Sequence, residues 1–465
     1  MKRIFLSAII GVAGLYAFAD APKNGGIDNA MMSRLRASFK NDANDKALRN
    51  ALNSTDIDVL ATSAENKNLY DDNFSHRVKS KGITNQKSSG RCWLFTGLNV
   101  LRAQMMAEHD IPQLELSQNY NFFYDQLEKA NLFLQAVIDT SNLPYDDKKV
   151  EWLFQHPLSD GGQYTGLADN LTKYGIVPKS AMVETYSSSN SAKMGRMVSR
   201  KLREGGLKLR RMQAEGASAA AIAQEKESVL ADVYRILSLT LGVPPTEFIW
   251  TRKDKDGKVV STKTYTPQEF YKEFAGNDLK NGYVMLMNDP TLEYYKLYEI
   301  DYDRHTYDGE NWTYINLPVE DIKKMAIESI KGDEMMYFSC DVGKFLDRDR
   351  GLLDPGNYDY NSLFGVNFGM DKADRIRTFD SASSHAMTLV AVDIDENGKP
   401  TKWMVENSWG PGANDGHLIL TDKWFDEYMF RLVVNKKYVP ADILKILKQT
   451  PELLPAWDPM FAPEN

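Results

Sequence analysis

Apolar side chains return every three to four positions along most of residues 92 to about 180, with Gln118 to Val137 the longest stretch, and this periodicity predicts a layer of helices. Ser159-Asp160-Gly161-Gly162 and Tyr174-Gly175-Ile176-Val177-Pro178 interrupt it. From Glu334 onward the pattern shortens to β-rich runs at Met335 to Cys340, His385 to Ile394, Lys402 to Asn407 and His417 to Thr421. Between these regions, residues 190 to 250 are rich in Lys, Arg, Ala and Glu. An Ala-rich helix is expected there from Ala217 to Leu239, stopped by Gly242-Val243-Pro244-Pro245. Ile249 to Thr266 reads as a hairpin turning at Asp254-Lys255-Asp256-Gly257.

The boundaries that follow are a polar arm over 20–80 with short helices near Met31 to Lys40 and Ala43 to Leu52, expected to wrap a larger body, and a helical subdomain over 81–189. An inserted helical domain with a hairpin follows over 190–330, then a β subdomain over 331–450 and a Pro-rich tail over 451–465. The fold class is α+β. At 465 residues and 43% hydrophobic content the chain has ample apolar surface for two or three domains.

Met1-Lys2-Arg3, an apolar stretch from Ile4 to Phe18 and the small-residue pattern Ala17-Phe18-Ala19 match a secretory signal over 1–19, so we expect cleavage after Ala19 and a periplasmic or secreted location. Losing Lys2 and Arg3 would take the formal net charge from −8 to −10, which argues against nucleic acid and anionic membranes as partners. The basic stretch Arg196 to Arg211 is interspersed with other residues and reads as a solvated helix face. Asp393-Ile394-Asp395-Glu396-Asn397-Gly398 imitates the start of a calcium loop, but Met404 stands where the bidentate Glu belongs, so it reads as a turn. No metal or organic cofactor is called for.

There are two cysteines, Cys92 and Cys340. Cys340 reads as a buried strand residue. Cys92 follows Gln86-Lys87-Ser88-Ser89-Gly90-Arg91 and opens a helical run, where unpaired N–H groups and the positive end of the dipole favour a thiolate. A nucleophile needs a base, and of the six histidines His385 stands out because it opens the apolar run Ala386 to Val392. Asn407 ends the next strand, and two antiparallel strands turning at Asp395 to Gly398 would bring it beside His385, where its carbonyl would orient the imidazole.

These residues resemble the papain-like cysteine peptidases, and among them the bleomycin hydrolase and aminopeptidase C branch. The resemblance rests on Gln86, Gly90-Arg91-Cys92-Trp93, Asp160-Gly161-Gly162-Gln163, Tyr174 to Lys179, Ser188 to Ser191, Cys340 to Lys344, Ser384-His385-Ala386-Met387 and Glu406-Asn407-Ser408-Trp409-Gly410. It implies a papain-like fold and a cysteine aminopeptidase acting on peptides through a thioester. Cys92 would be the nucleophile, His385 the proton shuttle and Asn407 its orienter, with Trp409 shielding that contact and Gln86 donating to the oxyanion. Gly161 and Gly162 would line the cleft edge where substrate backbone pairs. The histidine lies 293 residues beyond the cysteine, against roughly 130–150 in papain-type enzymes, an excess that the 190–330 insertion explains. The resemblance also implies a tail that enters the cleft and sets the carboxylate of Asn465 opposite the substrate amine as a ruler, although Phe461-Ala462-Pro463-Glu464-Asn465 departs from the family's small apolar ending. It further implies a homohexamer with its sites facing an internal chamber. The competing readings are an endopeptidase with an unblocked cleft and a binding or scaffold protein on a retired peptidase fold.

Overall fold

Side-chain caps mark most of the helix starts. In a computed structural model that describes residues 25–68, 70–276 and 278–461, Asp28 caps α1 (Asn29–Ser38) and Asp42 closes a capping box on α2 (Ala43–Leu52). With α3 (Ile57–Ala61) these helices form one unit that ends at Thr62; a second begins at Ser63. The expected signal over 1–19 and the terminal residue Asn465 lie outside the described residues.

In the second unit β1 (His76–Arg77) belongs to the main sheet, although the sequence placed it in the arm. The helical layer then follows as α4 (Cys92–Glu108), α5 (Gln118–Asp139), α6 (Lys148–Gln155) and α7 (Tyr164–Tyr174). Residues Cys92 to Asn99 of α4 are buried on every side, as befits a helix that is apolar around much of its circumference. Gly97 allows α7 to press against it, since a Cβ there would fall 2.1 Å from Leu167 Cδ2.

After the short α8 (Tyr186–Ser189), the segment from residue 190 begins with α9 (Ala192–Ala214) and α10 (Ala219–Leu241), which pack on α5 and on each other. Gly242 ends α10 at φ 94. The hairpin of β2 (Phe248–Lys253) and β3 (Val259–Tyr265) and the helix α11 (Pro267–Phe274) follow.

The rest of this segment is not helical in the way expected. It supplies β4 (Tyr283–Met287), β5 (Lys296–Ile300) and β6 (Thr313–Asn316) to the main sheet before α12 (Val319–Lys331). These strands are short and largely covered, so they lack the alternation that reveals a half-exposed strand.

The remaining strands are β7 (Met336–Cys340), β8 (Leu346–Asp347), β9 (Leu352–Leu353), β10 (His385–Ile394), β11 (Pro400–Glu406), β12 (His417–Thr421), β13 (Met429–Asn435) and β14 (Glu452–Leu454). They order as β14-β5-β6-β4-β13-β7-β10-β11-β12-β9-β8, with β1 added against β10. The mixed helix-and-sheet architecture is the α+β class expected. Asp395 turns β10 into β11 by accepting from the N–H groups of Asn397 and Lys399.

Candidate active site

The N-cap residue of α4, Arg91, makes no side-chain cap hydrogen bond, and the positive end of the helix dipole lies at Cys92. What holds the turn is Arg91. Its carbonyl accepts from Leu94 and Phe95, both at 3.0 Å. Its fully buried guanidinium pairs bidentately with Glu184 at 3.1 and 2.8 Å and lies over the rings of Phe95 and Phe122. Cys92 is 1% exposed, and neither it nor Cys340 is in a disulfide.

α4 packs against β10, whose first residue is His385, and Cys92 shares an apolar cluster with Ala386. β10 pairs antiparallel with β11 in a register that includes Thr388 opposite Glu406, so Asn407 emerges next to the His385 ring. Nε2 of His385 is 2.9 Å from Oδ1 of Asn407. Because Oδ1 only accepts, Nε2 carries the proton and Nδ1 keeps its lone pair. Trp409 covers the ring at 4.9 Å between centroids, and the Arg348 guanidinium lies over the Trp409 ring at 5.0 Å. Burial pushes His385 down to about 4; the Asn407 bond works in the opposite direction and nearby Arg348 adds to the depression. The imidazole is therefore neutral at pH 7, a base able to take a proton. Cys340 faces His385 across the β7–β10 pair, and burial raises its thiol far above the ordinary range, so it is no rival nucleophile.

Gln86 joins the two halves. Its backbone N–H donates to the Ser408 carbonyl at 2.8 Å, its Oε1 accepts from Ser408 Oγ at 2.6 Å, and its Nε2 donates to the Ser89 carbonyl at 2.6 Å. The amide is thereby oriented, with a second N–H that meets no acceptor among the described residues. Asn85 bridges to Trp409, and the Gly410 N–H donates to the Thr84 carbonyl at 2.9 Å, so the segment before Cys92 is stapled to the segment that carries Asn407.

Asp160 performs a similar service on the other flank. Its Oδ2 accepts from the Gly90 N–H at 2.8 Å and from Ser191 Oγ, and its carbonyl accepts from Trp93 Nε1 at 2.9 Å. A Cβ on Gly90 would lie 2.4 Å from Asp160 Oδ1, so the approach needs glycine. Next to it, Gly161 and Gly162 line a cleft of about 940 Å³ that Ser383, two residues before His385, also borders. Met460 and Phe461, the end of the described chain, line the same cleft, and Arg431 donates to the Met460 carbonyl.

Gln86, Asn407 and Trp409 thus gather with His385 at the end of β10, the strand against which the Cys92 helix packs, while Gly161 and Gly162 line the cleft that Ser383 also borders. Sequence reasoning missed the supports: Glu184, Arg348 and Ser408. Ser408 stood inside a recognised string, but nothing local distinguishes Glu184 or Arg348, whose roles exist only through partners distant along the chain.

The chain matches the model of the Peptidase C1-like family over residues 26–461. It is 39% identical over 420 residues to Aminopeptidase C of Lactobacillus delbrueckii subsp. lactis, covering 89% of this chain and 93% of the relative. It is 40% identical over 401 residues to Bleomycin hydrolase of Homo sapiens, covering 84% and 88%. The crystal structure of PepW from Lactobacillus rhamnosis HN001 superposes with a TM-score of 0.91 at 38% identity, covering 95% of this chain and all of that one.

Proposed function

The chain belongs to the Peptidase C1-like family and is a cysteine peptidase of papain-like fold, and from that premise we propose that it is an exported aminopeptidase that removes N-terminal residues from peptides through a thioester. In this reading Nδ1 of His385 takes the Cys92 proton and Sγ attacks the first peptide carbonyl. The second N–H of the Gln86 amide and the Cys92 backbone N–H hold the oxyanion. His385 then protonates the leaving amine, and the released peptide leaves the aminoacyl group as a thioester on Cys92. Water, deprotonated by His385, cleaves that thioester and restores the thiol. Asn407 keeps the imidazole in the tautomer this sequence needs, and Trp409 keeps water from their contact. Once Cys92 gives up its proton, the thiolate charge stabilises the imidazolium.

The observation that carries the reading is the 2.9 Å contact between His385 and Asn407 at the end of the strand against which the Cys92 helix packs. Exopeptidase action is supported by relatives named Aminopeptidase C and by Met460 and Phe461 lining the cleft beside Gly161 and Gly162. The tail would act as the ruler, with the carboxylate of Asn465 receiving the substrate's free amine. Truncation after Met460 tests this: aminoacyl-arylamide hydrolysis should fall and cleavage inside N-blocked peptides should appear, whereas an unchanged profile would reject the ruler. The Lys2-Arg3 and Ala17-Phe18-Ala19 pattern supports export. Family resemblance supports a hexamer enclosing the sites, which light scattering of the purified protein would test.

A further inference from the structure

The N–H and C=O of Gly162 make no hydrogen bond among the described residues, although the residue lines the cleft. An unpaired backbone edge of this kind is a place for another backbone to add, but it must be held still by something other than its own hydrogen bonds. The buried Asp125 and His305 and the half-buried Lys129 do this.

Lys129 on α5 reaches under the edge, where its Nζ donates to the carbonyls of Gly161 at 2.5 Å and Ser159 at 3.1 Å and lies 5.3 Å from the centre of the Trp93 ring. One turn earlier, the fully buried Asp125 faces Lys129 at 2.9 Å, and its other oxygen lies 2.6 Å from Nδ1 of His305. The His305 ring in turn is wedged between two glycines. A Cβ on Gly162 would fall 2.3 Å from His305 Cε1, and one on Gly166 would fall 2.3 Å from His305 Cγ. On another side the ring meets Trp93 edge-on at 4.8 Å. Burial and Lys129 push His305 below its ordinary range, so at neutral pH it packs as an uncharged ring. Burial alone would raise the Asp125 carboxyl, but Lys129 and His305 outweigh it and hold the group ionised.

We propose that Asp125, Lys129 and His305 are positioning residues that fix the Gly161–Gly162 edge at the depth at which the substrate's backbone pairs with it, and so set substrate binding without touching the reacting atoms. The proposal rests on the reading of that edge as peptide-pairing. The helical layer contributes Asp125 and Lys129. His305 comes from the loop between β5 and β6, within the segment that lengthens the distance from Cys92 to His385, so that segment would help shape the cleft.

Lys129→Met removes the cation from beneath both carbonyls. Hydrolysis of an aminoacyl-arylamide should then show KM raised about fivefold or more with kcat within about twofold of the parent, while the rate of Cys92 alkylation by iodoacetamide stays unchanged. Lys129→Arg, which keeps a donor for both carbonyls, should restore KM. Asp125→Asn is the second variant and should raise KM in the same direction, with thermal melting used to confirm that both proteins are folded. An unchanged KM in folded Lys129→Met, or kcat and alkylation falling together, overturns the proposal. If the parent protein neither hydrolyses the arylamide nor loses its thiol to iodoacetamide, it is the catalytic reading of Cys92 that fails instead.

Discussion

Neutrality of His385 has a cost that depends on pH. Its native pKa, down to about 4 from an ordinary 6.5, means that between these values the unfolded chain binds a proton that the native chain refuses. Stability therefore falls as pH drops through that window. In His385→Asn the difference is gone, so its Tm should decline less between pH 6.5 and 4.5 than the parent's; parallel curves would contradict a buried neutral imidazole. At the same scale, Asn407→Ala removes the acceptor that fixes the tautomer and should lower kcat by roughly 10²-fold while Cys92 remains open to alkylation. In the proposed mechanism Gln86→Ala removes one oxyanion donor, and a kcat loss of about 10²–10³ is expected. Stopped-flow or steady-state assays on an aminoacyl-arylamide would check both. The residue types and their local strings were legible in the sequence, because Cys92, His385 and Asn407, the proposed nucleophile, base and orienter, each sit at an element's end with a recognisable apolar run beside them.

Among elements, α4 carries the largest demand, since its uncapped start must stay in place to present Cys92. The Arg91–Glu184 pair holds it, with the guanidinium fully buried and the Glu184 side chain 23% exposed. Glu184→Ala would leave a buried cation unpaired and should destabilise the protein by about 3 kcal/mol, read from urea denaturation. A smaller loss, within about 0.5 kcal/mol, would show that the two stacked rings suffice. On the opposite flank of α4, Gly97→Val would drive methyls into Leu167 and should cost about 1–3 kcal/mol by overpacking. The elements themselves were well marked by periodicity and capping: α4, β10, β12 and the β2–β3 hairpin fall close to where the pattern placed them. Strands β4, β5 and β6 were hidden because burial removes the alternation on which a strand reading depends.

At the scale of the whole molecule, distance along the chain is spanned by hydrogen bonds between loops. Gln86 and Ser408 are 322 positions apart and meet at 2.6 Å, so both halves of the active site depend on the complete second unit being folded. Ser408→Ala should accordingly lower activity without moving the pH midpoint of thiol alkylation. If the proposed signal is removed, the mature chain begins at Asp20, which intact-mass measurement of protein recovered from the exporting host would reveal.

The sequence by itself determined the helical layer, strands β10 and β12, the β2–β3 hairpin, which cysteine stands at a helix start, and which family strings accompany it, because periodicity and short motifs act over a few residues. Only the tertiary structure decided that Glu184 pairs with the residue before the Cys92 helix, that Ser408 orients Gln86, that the buried Cys340 lies opposite His385, and that His305 packs against Gly162. Those relations arise from burial and from partners tens to hundreds of positions apart, and a buried charge or amide acquires its role only when the fold removes water from around it and leaves one partner within reach.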